Sequence, residues 1–348
     1  MSEKPIRVIV VDDSLLVRQI LSQGLEQDPE IHVVATASDP YAARDEIARH
    51  KPDVLTLDVE MPRMNGVEFL QKMMPQCPIP VVMVSSLTER GQKITMDALA
   101  AGAVDFVAKP KANIAMGLNQ MMEDLRDKVR AASRANVSRF KVASYNPVKK
   151  GQSPASQGKV SRHVIAIGAS TGGTEALKEV LTTFTPDMPG TVVVQHMPAG
   201  FTRMFAERLN SLCAVEVKEA EEGDMITDGK VIIAAGGRHL EVVRRGTGFG
   251  VRLYDGPTVC GHKPSVEVMM TSVSKNVGKA ATGVMLTGMG GDGAGGMKAM
   301  RNAGARCIAQ DEATSVVFGM PCKAYENGGA EKLVPLPQIT RTVKGLLH

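Results

Sequence analysis

The 348 residues include no tryptophan, and no apolar run reaches the ~18 residues that a membrane-crossing helix needs. Membrane insertion is therefore not expected. The opening "MSEKPIRVIVVDDS" has a short apolar run broken by two aspartates, which does not suit a secretory signal and reads as a first strand. A cytoplasmic protein is the expectation. The five cysteines (Cys77, Cys213, Cys260, Cys307, Cys322) are odd in number and lack any C-x-x-C spacing. This argues against a disulfide framework or zinc site and predicts reduced, mostly buried thiols. None of them stands in a Gly-rich turn, which argues against a cysteine nucleophile. Acidic residues are absent between Lys128 and Thr174, a stretch with nine Lys or Arg. Elsewhere 32 basic residues face 37 acidic ones, so the net charge of +4 sits in one solvated connector rather than on a folded face. With no helix-turn-helix-like segment either, no nucleic-acid partner is expected.

What is present is βα alternation, twice. "RVIVVD", "HVVATA", "VLTLDV", "PVVMVS" and "DFVAK" read as five strands with amphipathic segments between them, closed by a helix in "ANIAMGLNQMMEDLRDKVRAASR". The pattern dissolves in a Ser-, Pro-, Gly- and Lys-rich stretch and then resumes in "HVIAIGA", "TVVVQH", "KVIIAA", "TGVMLTG" and "ARCIAQ". "HLEVVRRGTGFGVRLYDGP" alternates apolar and polar residues around glycines, which predicts an antiparallel hairpin. The chain is thus read as α/β, in two domains with a linker between them.

In open parallel sheets chemistry collects at the carboxyl ends of strands. In the first half those ends carry Asp12 and Asp13, Asp58, Ser85 and Lys109. Three carboxylates in one pocket repel unless a cation joins them, and Mg²⁺ suits Asp12, Asp13 and Asp58 while leaving positions for phosphate oxygens. Lys109 adds a point charge, and Ser85 a hydroxyl for a phosphoryl oxygen. The set fits phosphoryl transfer onto Asp58.

The second half poses a harder question in "IAIGASTGGTEALKEVL". Gly168-Ala169-Ser170-Thr171-Gly172 fits G-x-S-x-G, a strand-to-helix turn that exposes a serine hydroxyl. The helix start would favour negative charge, whether an oxyanion or a bound pyrophosphate. A dinucleotide site calls for Asp or Glu at the end of the next strand, whereas "TVVVQHMP" ends in Gln195-His196. A histidine there suits a general base, and Asp292 in the loop of "TGVMLTGMGGDGAGGM" suits its orienting carboxylate. Taken alone, Asp292 could cap a helix and His196 could be an internal polar residue; their joint placement with Ser170 favours a triad. His262 and Ser265 in "CGHKPSVEV" form the one rival cluster, with Pro264-Ser265 read as a helix start and His262 as a groove residue. Arg203 in "MPAGFTRMFAERL" is a further groove candidate.

"VDDS", "LDVEMPRMNG", "VSS" and "DFVAKP" resemble the receiver domain of bacterial response regulators. "AIGASTGGTEAL", "QHMPAGFTRMFAERL" and "MLTGMGGDGAGGM" resemble the catalytic domain of the chemotaxis protein-glutamate methylesterases, although Gly291 stands where that family often has asparagine. The resemblance implies a flavodoxin-like receiver over residues 1–132, a basic flexible linker over 133–160, and a doubly wound, mostly parallel catalytic domain over 161–348. It implies phosphorylation of Asp58 by a chemotaxis histidine kinase with Mg²⁺, and it places Phe106 where the family has an aromatic switch residue, with a plain core phenylalanine as the other reading. It further implies hydrolysis of glutamyl methyl esters on the cytoplasmic helices of chemoreceptors through Ser170, His196 and Asp292, with deamidation of receptor glutamines, and no cofactor for the ester reaction. Backbone N–H groups of Thr171 and Met289 are the oxyanion candidates. The receiver is expected to cover the catalytic crevice until Asp58 is phosphorylated.

Overall fold

A computed structural model describes residues 4–109, 114–135, 137 and 159–347. The chain divides into two compact units, Met1–Ser144 and Tyr145–His348. The stretch read as a linker falls mostly outside the described residues.

In the first unit five strands, β1 (Ile6–Val11), β2 (Ile31–Ala37), β3 (Val54–Asp58), β4 (Val81–Ser85) and β5 (Asp105–Ala108), alternate with α1 (Leu15–Leu25), α2 (Pro40–His50), α3 (Gly66–Met73), α4 (Glu89–Ala100) and α5 (Ile114–Ser133). The sheet is parallel in the order β2-β1-β3-β4-β5. β3 and β4 are buried throughout, as strands covered on both faces must be. Short polar side chains start the helices: Ser14 Oγ accepts the Val17 N–H, Asp39 the N–H groups of Tyr41 and Ala42, and Asn65 that of Glu68. The basic run identified in the sequence begins inside α5, where Lys128 pairs with Asp105 and Asp124 and Arg130 with Asp28 and Asp127. This part of the charge belongs to a folded helix and not to a solvated connector.

The second unit begins with β6 (Val164–Ala169), α6 (Gly173–Leu181), β7 (Thr191–Gln195), α7 (Phe201–Leu212), β8 (Glu216–Glu219) and β9 (Lys230–Ile233). The hairpin β10 (His239–Arg245) and β11 (Gly248–Tyr254) follows, then α8 (Val266–Asn276), β12 (Ala281–Met285) and α9 (Ala294–Asn302). β13 (Arg306–Gln310), α10 (Met320–Glu326), β14 (Leu333–Val334) and α11 (Ile339–Leu346) complete it. Seven parallel strands run in the order β14-β13-β12-β6-β7-β9-β8. The edge strands β8 and β14 escaped the sequence reading because "EVKE" and "LV" are too short to carry a buried apolar run. β10 and β11 pair antiparallel across a two-residue turn in which Gly246 takes φ +56°, a conformation glycine adopts without strain.

Beyond β6 the chain proceeds to β7 on one side and later returns to β12 on the other. The carboxyl ends of β6 and β12 therefore form the point at which strand order reverses, the usual place for a crevice in such sheets. The core around it is rich in methionine: Met269, Met270, Met285, Met297, Met300 and Met320 are fully buried, filling gaps that no tryptophan is present to fill. None of the five cysteines forms a disulfide, but only Cys213 and Cys307 are buried. Cys77 and Cys260 are exposed in loops, so the expectation of mostly buried thiols does not hold. No described helix is long and apolar enough to cross a membrane.

Candidate active site

Strand ends are held together before any side chain is considered. The sheet ladder continues past β6, β7 and β12: Leu286 N–H donates to the Gly168 carbonyl at 2.8 Å, Ser170 N–H to Thr287 at 3.0 Å, and His196 N–H to Ala169 at 3.2 Å. Three loops distant in sequence thus converge at one sheet edge. The turn after β6 is sharp because Gly172 takes φ +76° and starts α6 as its cap. A Cβ there would also lie 2.5 Å from Val316. Gly288 lets the loop after β12 approach Ser170 closely, since a Cβ on it would meet that of Ser170 at 2.7 Å.

On this frame Ser170, His196 and Asp292 make a continuous chain. Ser170 Oγ lies 3.1 Å from His196 Nδ1, and His196 Nε2 lies 2.7 Å from Asp292 Oδ2. A carboxylate only accepts, so Nε2 carries the proton and Nδ1 presents its lone pair to the serine. Asp292 is 2% exposed and fully engaged. Besides His196, it accepts the Ser265 hydroxyl at 2.7 Å and the N–H groups of Val266 and Glu267 at 2.7 and 3.0 Å. The carboxylate therefore sits on the positive end of α8. Burial works to raise its pKa, but the bonds from His196, Ser265 and Glu267, with the His196 charge, outweigh that and hold it below the ordinary aspartate value.

The rival cluster resolves into this site. Ser265 caps α8, accepting the Val268 N–H, and its hydroxyl donates to Asp292. His262 stacks on His196 with ring centroids 3.7 Å apart and planes 17° from parallel. Arg203 is exposed and donates to Glu207 along its own helix. Of the oxyanion candidates, Thr171 is buried next to the serine and Met289 follows Gly288 at its contact with Ser170.

Sequence reasoning missed Thr287, Gln310 and the role of Gln195. Fully buried Thr287 donates its hydroxyl to the Thr171 carbonyl at 2.9 Å and accepts the Val317 N–H, while Gln310 Oε1 accepts the Thr287 N–H. Nothing in their local spacing announces this. Gln195 had served only as the absence of an acidic residue.

In the first unit, Lys109 Nζ stands 2.9 Å from Asp12 Oδ2 and 3.1 Å from Asp58 Oδ1. Carboxylate oxygens of Asp12, Asp13 and Asp58 lie within 4.8 Å of one another. Burial pushes Asp58 up to about 6, with Lys109 opposing and the Asp12 charge adding to it. Burial also acts against the Lys109 charge, but Asp58 and Asp12 outweigh it and hold the lysine above its ordinary value. The buried Ser85 hydroxyl is within hydrogen-bond reach of the carbonyls of Ser86 and Gly91 and of the Thr95 hydroxyl. Phe106 is buried at 2% exposure beneath Lys128.

A raised folded pKa means that Asp58 opposes folding once it is charged. That cost is absent below the ordinary aspartate value, grows as pH rises toward 6, and is complete above it. Asp58→Asn, measured by urea denaturation in chelator, is expected to stabilise the first unit by about 3 kcal/mol at pH 7.5 and by well under about 1 kcal/mol near pH 4. Equal stability of the two proteins at both pH values would refute this.

Residues 165–343 match the CheB methylesterase family, and residues 8–118 the response regulator receiver domain. A protein of Syntrophotalea carbinolica named protein-glutamate methylesterase/protein-glutamine glutaminase is 60% identical over 346 residues, covering 99% of this chain and 98% of its own. One of the same name from Salmonella typhi is 50% identical over 337 residues, covering 97% and 95%. Among solved structures, the catalytic domain of Thermotoga maritima CheB methylesterase is similar with a TM-score of 0.52 and 34% identity, over 53% of this chain and 98% of that one.

Proposed function

Because the chain belongs to the CheB methylesterase family, we propose that Ser170, His196 and Asp292 are the triad of a hydrolase acting on methyl-esterified glutamates and on glutamine side chains of chemoreceptors. The observation that supports it most is the unbroken run Ser170 Oγ, His196, Asp292 at 3.1 and 2.7 Å. His196 Nδ1 takes the serine proton as Oγ attacks the ester carbonyl. Backbone N–H groups of Thr171 and Met289 receive the oxyanion. The carbon–oxygen bond breaks, His196 returns the proton, and methanol leaves; from a glutamine the leaving group is ammonia. Water, deprotonated by His196, then attacks the acyl carbonyl, the bond to Ser170 Oγ breaks, and His196 returns the proton to Oγ as glutamate leaves. Asp292 keeps the tautomer and stabilises the imidazolium.

The receiver domain makes this a phosphorylation-regulated enzyme of chemotaxis adaptation. We assign the acceptor to Asp58, the phosphodonor to a chemotaxis histidine kinase, and the units to a receiver at 1–132, a connector at 133–160 and a catalytic domain at 161–348. The first pocket fits Mg²⁺: three carboxylates converge there, and one is buried enough to resist its own charge. Asp12, Asp13 and Asp58 would hold the ion, whose charge offsets that of the phosphoryl oxygens. Lys109 holds Asp12 and Asp58 in place.

Labelling of Ser170 by a fluorophosphonate, with and without a small-molecule phosphodonor, tests both assignments. Labelling is expected to speed up with phosphodonor in the intact protein and to stay at the basal rate in Asp58→Ala. Stimulation that survives in Asp58→Ala would remove Asp58 from its role.

A further inference from the structure

We infer that Gln195 is a positioning residue for the esterase reaction, one that aims the Thr171 N–H at the oxyanion; the inference rests on the triad reading above. Gln195 ends β7 and is 4% exposed. Its side chain reaches the turn after β6, where Nε2 donates to the Ser170 carbonyl at 3.0 Å and to the His196 carbonyl at 3.3 Å. Both amide hydrogens thus land on the backbone of triad residues. Oε1 is buried with no hydrogen-bond partner among the described residues. The orientation is nonetheless fixed, since the reversed amide would set its oxygen against two carbonyls.

A second donor, the Gly173 N–H, reaches the same Ser170 carbonyl at 2.6 Å. The peptide between Ser170 and Thr171 is planar and trans, so its N–H points opposite to that carbonyl. Drawing the carbonyl toward Gln195 and the start of α6 turns the Thr171 N–H away from them. On the other side, Thr287 Oγ1 holds the Thr171 carbonyl at 2.9 Å. The Thr171 N–H is therefore flanked by two pinned carbonyls, which set its direction before charge develops. A buried oxygen without a donor works against folding. Two donors on one neutral nitrogen are what the position gains, because a carboxylate would supply none and an ammonium would bring a charge. Gly173 leaves the space: a Cβ on it would lie 2.1 Å from Oε1.

The test uses the full chain, methylated receptor as substrate, and a trifluoromethyl ketone that forms a tetrahedral oxyanion on Ser170. Gln195→Leu keeps the volume and removes both donors. Its kcat is expected to fall about 10- to 100-fold with KM changed less than about twofold, and the ketone to weaken by the same factor as kcat/KM. Gly173→Ala, which displaces Oε1 from the other side, is expected to show the same split and is the variant to read if Gln195→Leu does not fold. Ser170→Ala in the same assay separates the two readings. If Ser170→Ala keeps its turnover, the triad itself is wrong. If it is inactive while folded Gln195→Leu or Gly173→Ala holds kcat within about twofold, Gln195 positions nothing. A loss seen in KM without weaker ketone binding overturns the inference too.

Discussion

Ser170→Ala is expected to lower methanol release from methylated receptor by about 10⁴-fold or more, with melting behaviour unchanged. The backbone of Ser170 is what the fold uses: its N–H goes to Thr287, and its carbonyl accepts from Gly173 and Gln195. Alanine keeps all of these and the Cβ against which Gly288 packs. Only the hydroxyl facing His196 disappears. Methanol quantified by gas chromatography, beside a thermal melt, decides the matter. A folded variant with turnover near that of the parent would leave the second unit without its nucleophile.

Asp292→Asn should differ in kind, losing both activity and stability. An asparagine amide facing Nε2 would donate to it, moving the imidazole proton to Nδ1 and leaving no lone pair for Ser170. A wrong tautomer costs about 10⁴-fold in kcat in such hydrolases. The same carboxylate accepts from Ser265, Val266 and Glu267, so the start of α8 loses charge-assisted bonds worth about 1.5–3 kcal/mol each in favourable cases. Asp292 has a lowered folded pKa, so its contribution is present above the ordinary aspartate value and is lost as pH falls through the folded one. The stability gap between parent and variant should therefore be open at pH 7 and narrow in acid. Urea denaturation at pH 7 and pH 3, with kcat at pH 7, tests both parts. An unchanged kcat would refute the tautomer argument, and a pH-independent gap would refute the electrostatic one.

The two variants separate what the site asks of chemistry from what it asks of folding. On the proposed mechanism Asp292 serves both, which fits its two readings from sequence, as a triad member or as a helix cap. It caps α8, an element that precedes it in the chain, and not the helix that follows it. Ser265 shows the converse: read as a helix start, it is one, yet its hydroxyl also completes the Asp292 shell.

The strands of both sheets were legible where a short, mostly apolar and β-branched segment is buried on both faces, as in β1, β3, β6, β7 and β12. Placing chemistry at their carboxyl ends gave Asp58, Lys109, Ser170, His196 and Asp292, because side chains at strand ends are fixed by position along the chain. The edge strands β8 and β14 were missed because so short a segment holds its place through neighbours more than through its own pattern. Ser85 illustrates a further limit. It stands at the end of its strand as read, but its hydrogen bonds with Thr95 and Gly91 follow from packing that no local pattern encodes.

Periodicity and turn chemistry, both local properties, determined by themselves which residues form strands, where the chain turns sharply, and which side chains with acid, base or nucleophilic character reach the sheet edge. Only the tertiary structure decided which nitrogen of His196 faces the serine, that Asp292 rests on α8, that His262 stacks on His196, and that Gln195 and Thr287 hold the backbone around Ser170. Each of these depends on the direction of a side chain toward a partner tens of residues away. No pattern within a window of sequence encodes such directions; the close packing of one sheet edge does.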